Sequence, residues 1–193
     1  MIILDMYLTM LSVILGGIFN MFFVKTTFYK KYNFPIDKNK VLKDGKRLFG
    51  NNKTWIGFIS MIICCILSQL LVGFICNILN INNHNQIYNF YENKIFFNIF
   101  IGFLFGFMYM IFELPNSFIK RRLDIECGKT KTNYIGKLFF VIDQIDSLIG
   151  VMLILVIFAK ISLVQYFVYI LIGGLTHITI NLCLYKFKIR RNL

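Results

Sequence analysis

The stretch that decides the fold is GFISMIICCILSQLLVGFICNIL, residues 57–79. It contains no charged side chain, and a helix needs about 20 apolar residues to cross the hydrocarbon core of a bilayer. Lipid cannot hydrogen-bond to free backbone groups, and the stretch lacks the polar–apolar alternation of barrel strands. It therefore predicts a transmembrane α-helix.

Four further stretches have the same character, namely residues 6–24, 95–114, 138–159 and 163–185. The chain of 193 residues is 58% apolar with a mean hydropathy of +0.68, as expected if these stretches lie in lipid. It contains only two prolines and no linker-like segment. The sequence thus predicts a single domain over residues 1–193, an all-α integral membrane protein with five transmembrane helices.

The basic residues are distributed unequally between the predicted loops. Nine lie between the first two spans, six between the third and fourth, and four in the C-terminal tail, whereas only Lys94 and Lys160 lie on the opposite side. By the positive-inside rule, the N-terminus faces outward, and both long loops and the C-terminus face the cytoplasm. Topology then explains most of the net charge of +12, and no nucleic-acid partner is expected.

Three acidic residues lie at the cytoplasmic ends of predicted spans, where ionisable side chains are costly and usually functional. Glu113 precedes Pro115, which we expect to end the third helix. Asp143 and Asp146 fall in the first turns of the fourth helix, on one face. Mg²⁺ binds one or two carboxylates together with substrate phosphates, so these acids favour a Mg²⁺ site. Alternatively, the helix dipole accommodates the aspartates, and Glu113 pairs with Arg121 or the arginine after it.

A basic triplet, Lys120, Arg121 and Arg122, follows the third span. Arginine binds phosphate in bidentate geometry and lysine supplies a compact charge, so the triplet could neutralise a polyphosphate. The alternative is that these residues serve topology and attraction to anionic lipid.

The first cytoplasmic loop repeats this theme in DGKRLFGNNKTWIGF, residues 44–58. Gly45 and Gly50 allow a tight backbone near a ligand, Arg47 and Lys53 supply charge, and Thr54 supplies a hydroxyl. The run lacks the G-x-x-x-x-G-K-[ST] register of a Walker A loop, so it does not predict an ATPase.

Taken together, ELPNSFIKRRL and DQIDSLIG resemble the membrane cytidylyltransferases of phospholipid synthesis. The shared positions are Glu113, Leu114, Ser117, Lys120, Arg121, Asp143, Asp146 and Ser147. The short chain and the first-loop run make it most similar to the CDP-archaeol synthase branch, which has five spans and an external N-terminus. One departure lies at residues 127–140, where CGKTKTNYIGKLFF replaces the Lys-Asp pair and the Pro-Gly-His-Gly-Gly run of CDP-diacylglycerol synthases.

The resemblance implies transfer of CMP from CTP to a membrane lipid phosphate, either an archaeal ether lipid or a phosphatidate. It implies catalytic roles for Asp143, Asp146, Lys120 and Arg121, with the two aspartates and Glu113 binding Mg²⁺. The implied substrate-binding residues are Ser117, Arg122, Arg47, Lys53, Thr54 and Asp44.

The expected partners are CTP, the lipid phosphate and the bilayer, and the expected location is the plasma membrane with the site facing the cytoplasm. A homodimer stays open, because Gly102–Gly106 and Gly173–Gly174 permit close helix packing within or between chains. The main alternative function is a membrane transporter or lipid-binding protein without catalysis. It is disfavoured because residues 95–107 and 151–158 are nearly uniformly apolar and offer no polar path. A structural subunit without chemistry is a further alternative.

Overall fold

The computed structural model describes residues 3–129, 132 and 134–186, and this part of the chain is a bundle of α-helices. Its α-helices are α1 (Ile3–Phe23), α2 (Thr27–Lys31), α3 (Trp55–Ile78), α4 (Ile95–Arg122), α5 (Tyr134–Phe158) and α6 (Leu163–Lys186), and two short 3-10 helices, Asn82–His84 and Gln86–Asn89, lie between α3 and α4. All of the α-helices but α2 are long and apolar enough to span a membrane. The predicted all-α class and five spans are confirmed.

Helix α4 is longer than predicted, because it runs through Pro115 and ends at Arg122. The prediction that Pro115 ends this helix is wrong. Proline removes one backbone donor, but a membrane helix tolerates it where packing against neighbouring helices offsets the loss. The extension places Glu113, Ser117 and Lys120 on one face of a continuous helix, since residues three and four apart lie above one another.

Helix α5 begins earlier than predicted, at Tyr134. Asp143 therefore lies about 13 Å along the helix axis from its first residue, at 1.5 Å per residue. The field of the helix dipole acts mainly within the first turn. The alternative in which this dipole accommodates Asp143 and Asp146 is therefore wrong, and other groups must stabilise the two carboxylates.

Neighbouring helices pack in the order α1, α3, α4, α5, α6, whereas α1 and α6 approach each other only briefly. Tyr7 and Thr176 make a hydroxyl–hydroxyl hydrogen bond of 3.1 Å at that approach. Glycine allows the closest packing: a Cβ at Gly102 would lie 2.6 Å from the Cα of Ile66 on α3. Gly173 likewise packs against Leu148 on α5. These glycines serve packing within the chain, and a homodimer stays a prediction.

The first long loop folds around the buried carboxylate of Asp37. This carboxylate accepts hydrogen bonds from Arg47 Nη2 (2.5 Å) and from the amides of Phe49 (3.1 Å), Gly50 (3.0 Å) and Asn39 (3.0 Å). Burial alone would raise the pKa of Asp37, but these donors lower it to about 2. Gly50 has φ +105°, a conformation that favours glycine. The loop therefore has a defined shape.

This loop also docks onto the end of α4. Lys46 donates to the carbonyl of Arg122 (2.9 Å) and pairs with Asp124 (2.8 Å). The two long loops thus lie together at one end of the bundle, and Lys94 and Lys160 lie at the other. Which side of the membrane each end faces stays a prediction. Four basic residues used for the predicted orientation lie outside the described residues, namely Lys131, Lys188, Arg190 and Arg191.

Candidate active site

A cavity of about 470 Å³ lies inside the bundle at the end where the two long loops meet. One side is polar and is lined by Lys53, Glu113, Asn116, Ser117, Lys120, Arg121, Asp143 and Asp146. The rest of the lining is mostly apolar and comes largely from α1, including Met10, Val13, Ile14, Ile18 and Met21. The cavity thus joins a charged surface to one that is compatible with lipid tails.

The two aspartates are joined by a single amide. Asn116 Nδ2 lies 2.7 Å from Asp143 Oδ1 and 2.6 Å from Asp146 Oδ2. Lys120 Nζ donates to the other oxygen of Asp143 at 2.6 Å, and the backbone amide of Ser147 donates to Asp146 Oδ1 at 2.7 Å. The two carboxylates are therefore held side by side by donors from α4 and from α5 itself.

Lys53, the residue before the N-cap of α3, reaches across the cavity and pairs with Glu113. Burial alone would lower the pKa of the Lys53 ammonium, but the Glu113 carboxylate raises it, with Asp146 and Asp143 acting in the same direction. Lys53 therefore stays charged. The alternative pairing of Glu113 with Arg121 or its neighbour is wrong, because Lys53 takes that place.

The charges that line the cavity are balanced: three carboxylates face three basic side chains. Arg121 completes the basic set, and its Nη1 donates to Cys127 Sγ at 3.1 Å. Within the described part of the chain, its buried Nε has no hydrogen-bond partner. Arg121 therefore retains a donor that an anionic ligand could use.

The chemistry of the donor set fits Mg²⁺, although in the described residues no three acidic, His or Cys side chains are placed to hold a metal. Asp143 and Asp146 supply adjacent carboxylates. The buried Asn116 Oδ1 has no hydrogen-bond partner among the described groups. These are the hard oxygen ligands that Mg²⁺ prefers. Glu113 fits less well, because its carboxylate is already paired with Lys53.

Four of the predicted substrate-binding residues do not line the cavity, namely Asp44, Arg47, Thr54 and Arg122. Arg47 binds Asp37, and Arg122 pairs with Asp44 at 3.1 Å while its guanidinium lies 4.9 Å from the centre of the Phe118 ring. The Arg47 side chain therefore stabilises the loop itself, and the Arg122–Asp44 pair holds the loop against the end of α4.

Thr54 is also committed elsewhere. It is buried, its hydroxyl accepts from the amide of Gly57 at 3.1 Å as the N-cap of α3, and it hydrogen-bonds the Tyr29 hydroxyl at 2.9 Å. The other predicted site residues do line the cavity, namely Lys53, Glu113, Ser117, Lys120, Arg121, Asp143 and Asp146.

Several polar residues of the cavity were not among those predicted from the sequence. Asn116 lies inside the quoted ELPNSFIKRRL run, but nothing singles out a neutral amide there. His177 and Asn181 lie four residues apart on α6 and also line the cavity. A histidine and an asparagine at helical spacing in a predicted membrane span are a signal that could have identified this face.

Comparison with known proteins gives consistent matches. A family model described as CarS-like CDP-archaeol synthase matches residues 2–192. The CDP-archaeol synthase of Methanocaldococcus jannaschii is 30% identical over 156 residues, which is 81% of each chain. That of Sulfurisphaera tokodaii is 29% identical over 165 residues, covering 84% of this chain and 82% of its own.

A solved structure is similar in fold. It is described as an intramembrane enzyme for archaeal membrane lipids biosynthesis, and it aligns with a TM-score of 0.62. The alignment covers 91% of this chain and 92% of the other at 19% identity. At that identity, the likeness shows a shared fold.

Proposed function

The chain belongs to the CDP-archaeol synthase family of lipid cytidylyltransferases, and from this premise we propose that it transfers CMP from CTP to an archaeal ether-lipid phosphate, with Mg²⁺ as cofactor. The products are a CDP-lipid and pyrophosphate. One observation carries the proposal: the Asp143–Asn116–Asp146 cluster and three basic side chains share a cavity with an apolar wall. The names of the curated relatives support the ether lipid over a phosphatidate.

The reaction needs no protein nucleophile. An oxygen of the lipid phosphate forms a bond to the α-phosphorus of CTP, and the bond from that phosphorus to the bridging oxygen breaks, so pyrophosphate leaves with the electron pair. Catalysis then consists of positioning and of neutralising charge on the phosphates. Bound Mg²⁺ would supply such neutralisation, and Asp143, Asp146 and the amide oxygen of Asn116 would hold it.

The basic side chains of the cavity perform the remaining work. Arg121 is half-buried, and its Nε has no hydrogen-bond partner among the described residues, which suits a phosphate oxygen. Lys120 and Lys53 are bound to carboxylates before substrate arrives, and each ammonium has further N–H groups for a phosphate. Ser117 lines the same cavity and can donate its hydroxyl to a phosphate.

The position of the cavity suits two substrates of opposite solubility. Its apolar wall on α1 lies beside the gap between α1 and α6, through which lipid tails can remain in the bilayer. Water-soluble CTP would enter from the end where the loops meet. We further propose that it is a multi-pass protein of the plasma membrane, with this end facing the cytoplasm, where the positive-inside rule places the basic loops.

The test is a CMP-transfer assay on purified protein with labelled CTP, Mg²⁺ and a panel of lipid phosphates. The panel contains an ether-linked isoprenoid glycerol phosphate and a diacyl phosphatidic acid. We expect labelled CDP-lipid and pyrophosphate in equal amounts, with the ether lipid preferred. Failure to label either lipid would contradict the proposal, and preference for phosphatidic acid would correct its substrate. Asp143→Asn should label neither lipid, and Glu92→Gln is its matched acidic control, because Glu92 is exposed and lies at the other end of the bundle.

A further inference from the structure

Helix α6 presents a polar face to the cavity that the transfer mechanism above does not use. His177 and Asn181 line the cavity one helical turn apart. Asn181 is 4% exposed, so its amide is removed from bulk water. Buried amides in native structures almost always have hydrogen-bond partners, and an exception needs an explanation.

The orientation of the Asn181 amide is fixed by a chain of hydrogen bonds. Gln144 Nε2 donates to the carbonyl of Phe140 at 3.0 Å, one turn earlier on α5. A carbonyl can only accept, so Gln144 must direct its Oε1 elsewhere. That oxygen accepts from Asn181 Nδ2 at 2.9 Å. The same argument then requires Asn181 to direct Oδ1 away from Gln144.

This Oδ1 is the exception. It is buried and has no hydrogen-bond partner within the described part of the chain. A buried acceptor without a donor is unfavourable, and a ligand that supplies an N–H or O–H group would remove that cost. Because Asn181 lines the cavity, the missing donor is expected on a molecule bound there, whose binding displaces the atoms that cover Oδ1.

The proposed substrates differ in what they can donate. An ether-lipid phosphate and a triphosphate present mainly oxygen acceptors. The cytosine base carries an exocyclic amine, a donor, at the position where uracil carries a carbonyl oxygen, an acceptor. Gln144 follows Asp143 on α5, so a nucleoside beside Asn181 would lie next to the carboxylate cluster. A cavity of about 470 Å³ also lies in the usual range for small-molecule sites.

We propose that Asn181, oriented by Gln144, accepts a hydrogen bond from the exocyclic amine of cytosine and so selects CTP over UTP. The inference rests on the proposed function and names the specificity determinant of the same site. With UTP, two acceptors would face each other, and a site built for a hydrogen bond rejects an analogue that cannot form it.

The test compares kcat/KM for CTP and UTP in the full-length protein in lipid nanodiscs, with the ether-lipid phosphate and Mg²⁺. We expect wild type to prefer CTP. Asn181→Ala should lower the ratio of kcat/KM for CTP to kcat/KM for UTP by about 10- to 100-fold. The change should come from a lower kcat/KM for CTP, whereas kcat/KM for UTP should not fall. Asn181→Asp keeps an oxygen acceptor but loses the donor to Gln144, so it should keep a CTP preference that is smaller than that of wild type. Thr179→Val is the control, because Thr179 is exposed on the same helix.

The outcomes separate the inference from the proposed function. No CTP use by wild type overturns the proposed function, whereas CTP use with an unchanged ratio in Asn181→Ala overturns the inference alone. Parallel assays with dCTP test a ribose hydroxyl as the donor: if Asn181→Ala changes only the CTP/dCTP ratio, the base assignment is wrong. If Asn181→Ala fails to fold, Gln144→Leu, which releases the Asn181 amide, must lower the CTP/UTP ratio, and an unchanged ratio overturns the inference.

Discussion

Lys120 and Asp143 connect α4 to α5 through a hydrogen bond of 2.6 Å between the ammonium and Oδ2. The Lys120 side chain is 16% exposed and the Asp143 side chain 36%, so the pair is only partly shielded from bulk water. In the proposed reaction the same ammonium also binds a phosphate. Binding of the substrate and loosening of this pair are therefore expected to be linked.

Lys120→Met keeps the aliphatic stem and removes the charge. We expect kcat to fall about 10²- to 10³-fold, because a positive charge near the developing phosphate charge is lost. Asn116 still donates to Asp143, so the fold should persist, as size-exclusion profiles would show. Lys160→Met at the other end of the bundle is the control. Wild-type kcat in Lys120→Met would show that this lysine serves only packing or topology.

Asp143→Asn and Asp146→Asn each remove a carboxylate from the proposed Mg²⁺ site. We expect a loss of CMP transfer of about 10³-fold or more, since several kcal/mol of charge stabilisation corresponds to such a factor. Mn²⁺ binding followed by electron paramagnetic resonance gives a readout independent of turnover and should weaken in both variants. Chelation of metal from wild type should abolish transfer, and re-addition of Mg²⁺ should restore it. Full Mn²⁺ affinity in both variants would refute the metal assignment.

Pro115→Ala should have opposite effects on stability and activity. The variant regains a helical backbone donor, so the unfolding temperature should rise by a few degrees. Asn116 and Lys120 would shift relative to Asp143, and kcat should fall about 10- to 100-fold. Thermal unfolding measures the expected rise in unfolding temperature, and steady-state kinetics measures the expected fall in kcat. Pro35→Ala, in the first loop, is the matched control, and unchanged kcat in Pro115→Ala would show that the proline does not set the site geometry.

Asp37→Asn should remove a defined part of the pH dependence of stability. The pKa of Asp37 is lowered to about 2 from 3.8, so its ionised form stabilises the fold above about pH 4. This contribution is lost as pH falls through about 2. At pH 7 the variant should lose about 1–2 kcal/mol, and the difference from wild type should vanish near pH 2. Thermal unfolding followed by circular dichroism at several pH values measures this difference in stability. A difference that does not change with pH would show that it does not come from the ionised Asp37 carboxylate.

The spans were predictable because the hydropathy of a segment sums the transfer free energies of about 20 residues. No single residue therefore decides whether a segment spans the membrane. The end of α4 could not be predicted from the sequence. Pro115 disturbs the backbone only locally, whereas lipid and the neighbouring helices favour a continuous helix through it. The three acids could be identified because charge is rare and costly in lipid. Asn116 and Asn181 could not be identified from the sequence. Whether a neutral amide faces the cavity depends on the rotation of its helix and on its partners on another helix.

The balance of three carboxylates by three basic groups has a thermodynamic consequence for the order of binding. A lone polyanion would have to displace carboxylates from Lys53 and Lys120, and a lone divalent cation would have to displace the lysines from the carboxylates. When both arrive, each frees the partner that the other needs. Their binding free energies are then coupled, and because such coupling is reciprocal, nucleotide must raise the affinity for Mg²⁺ by the factor by which Mg²⁺ raises the affinity for nucleotide.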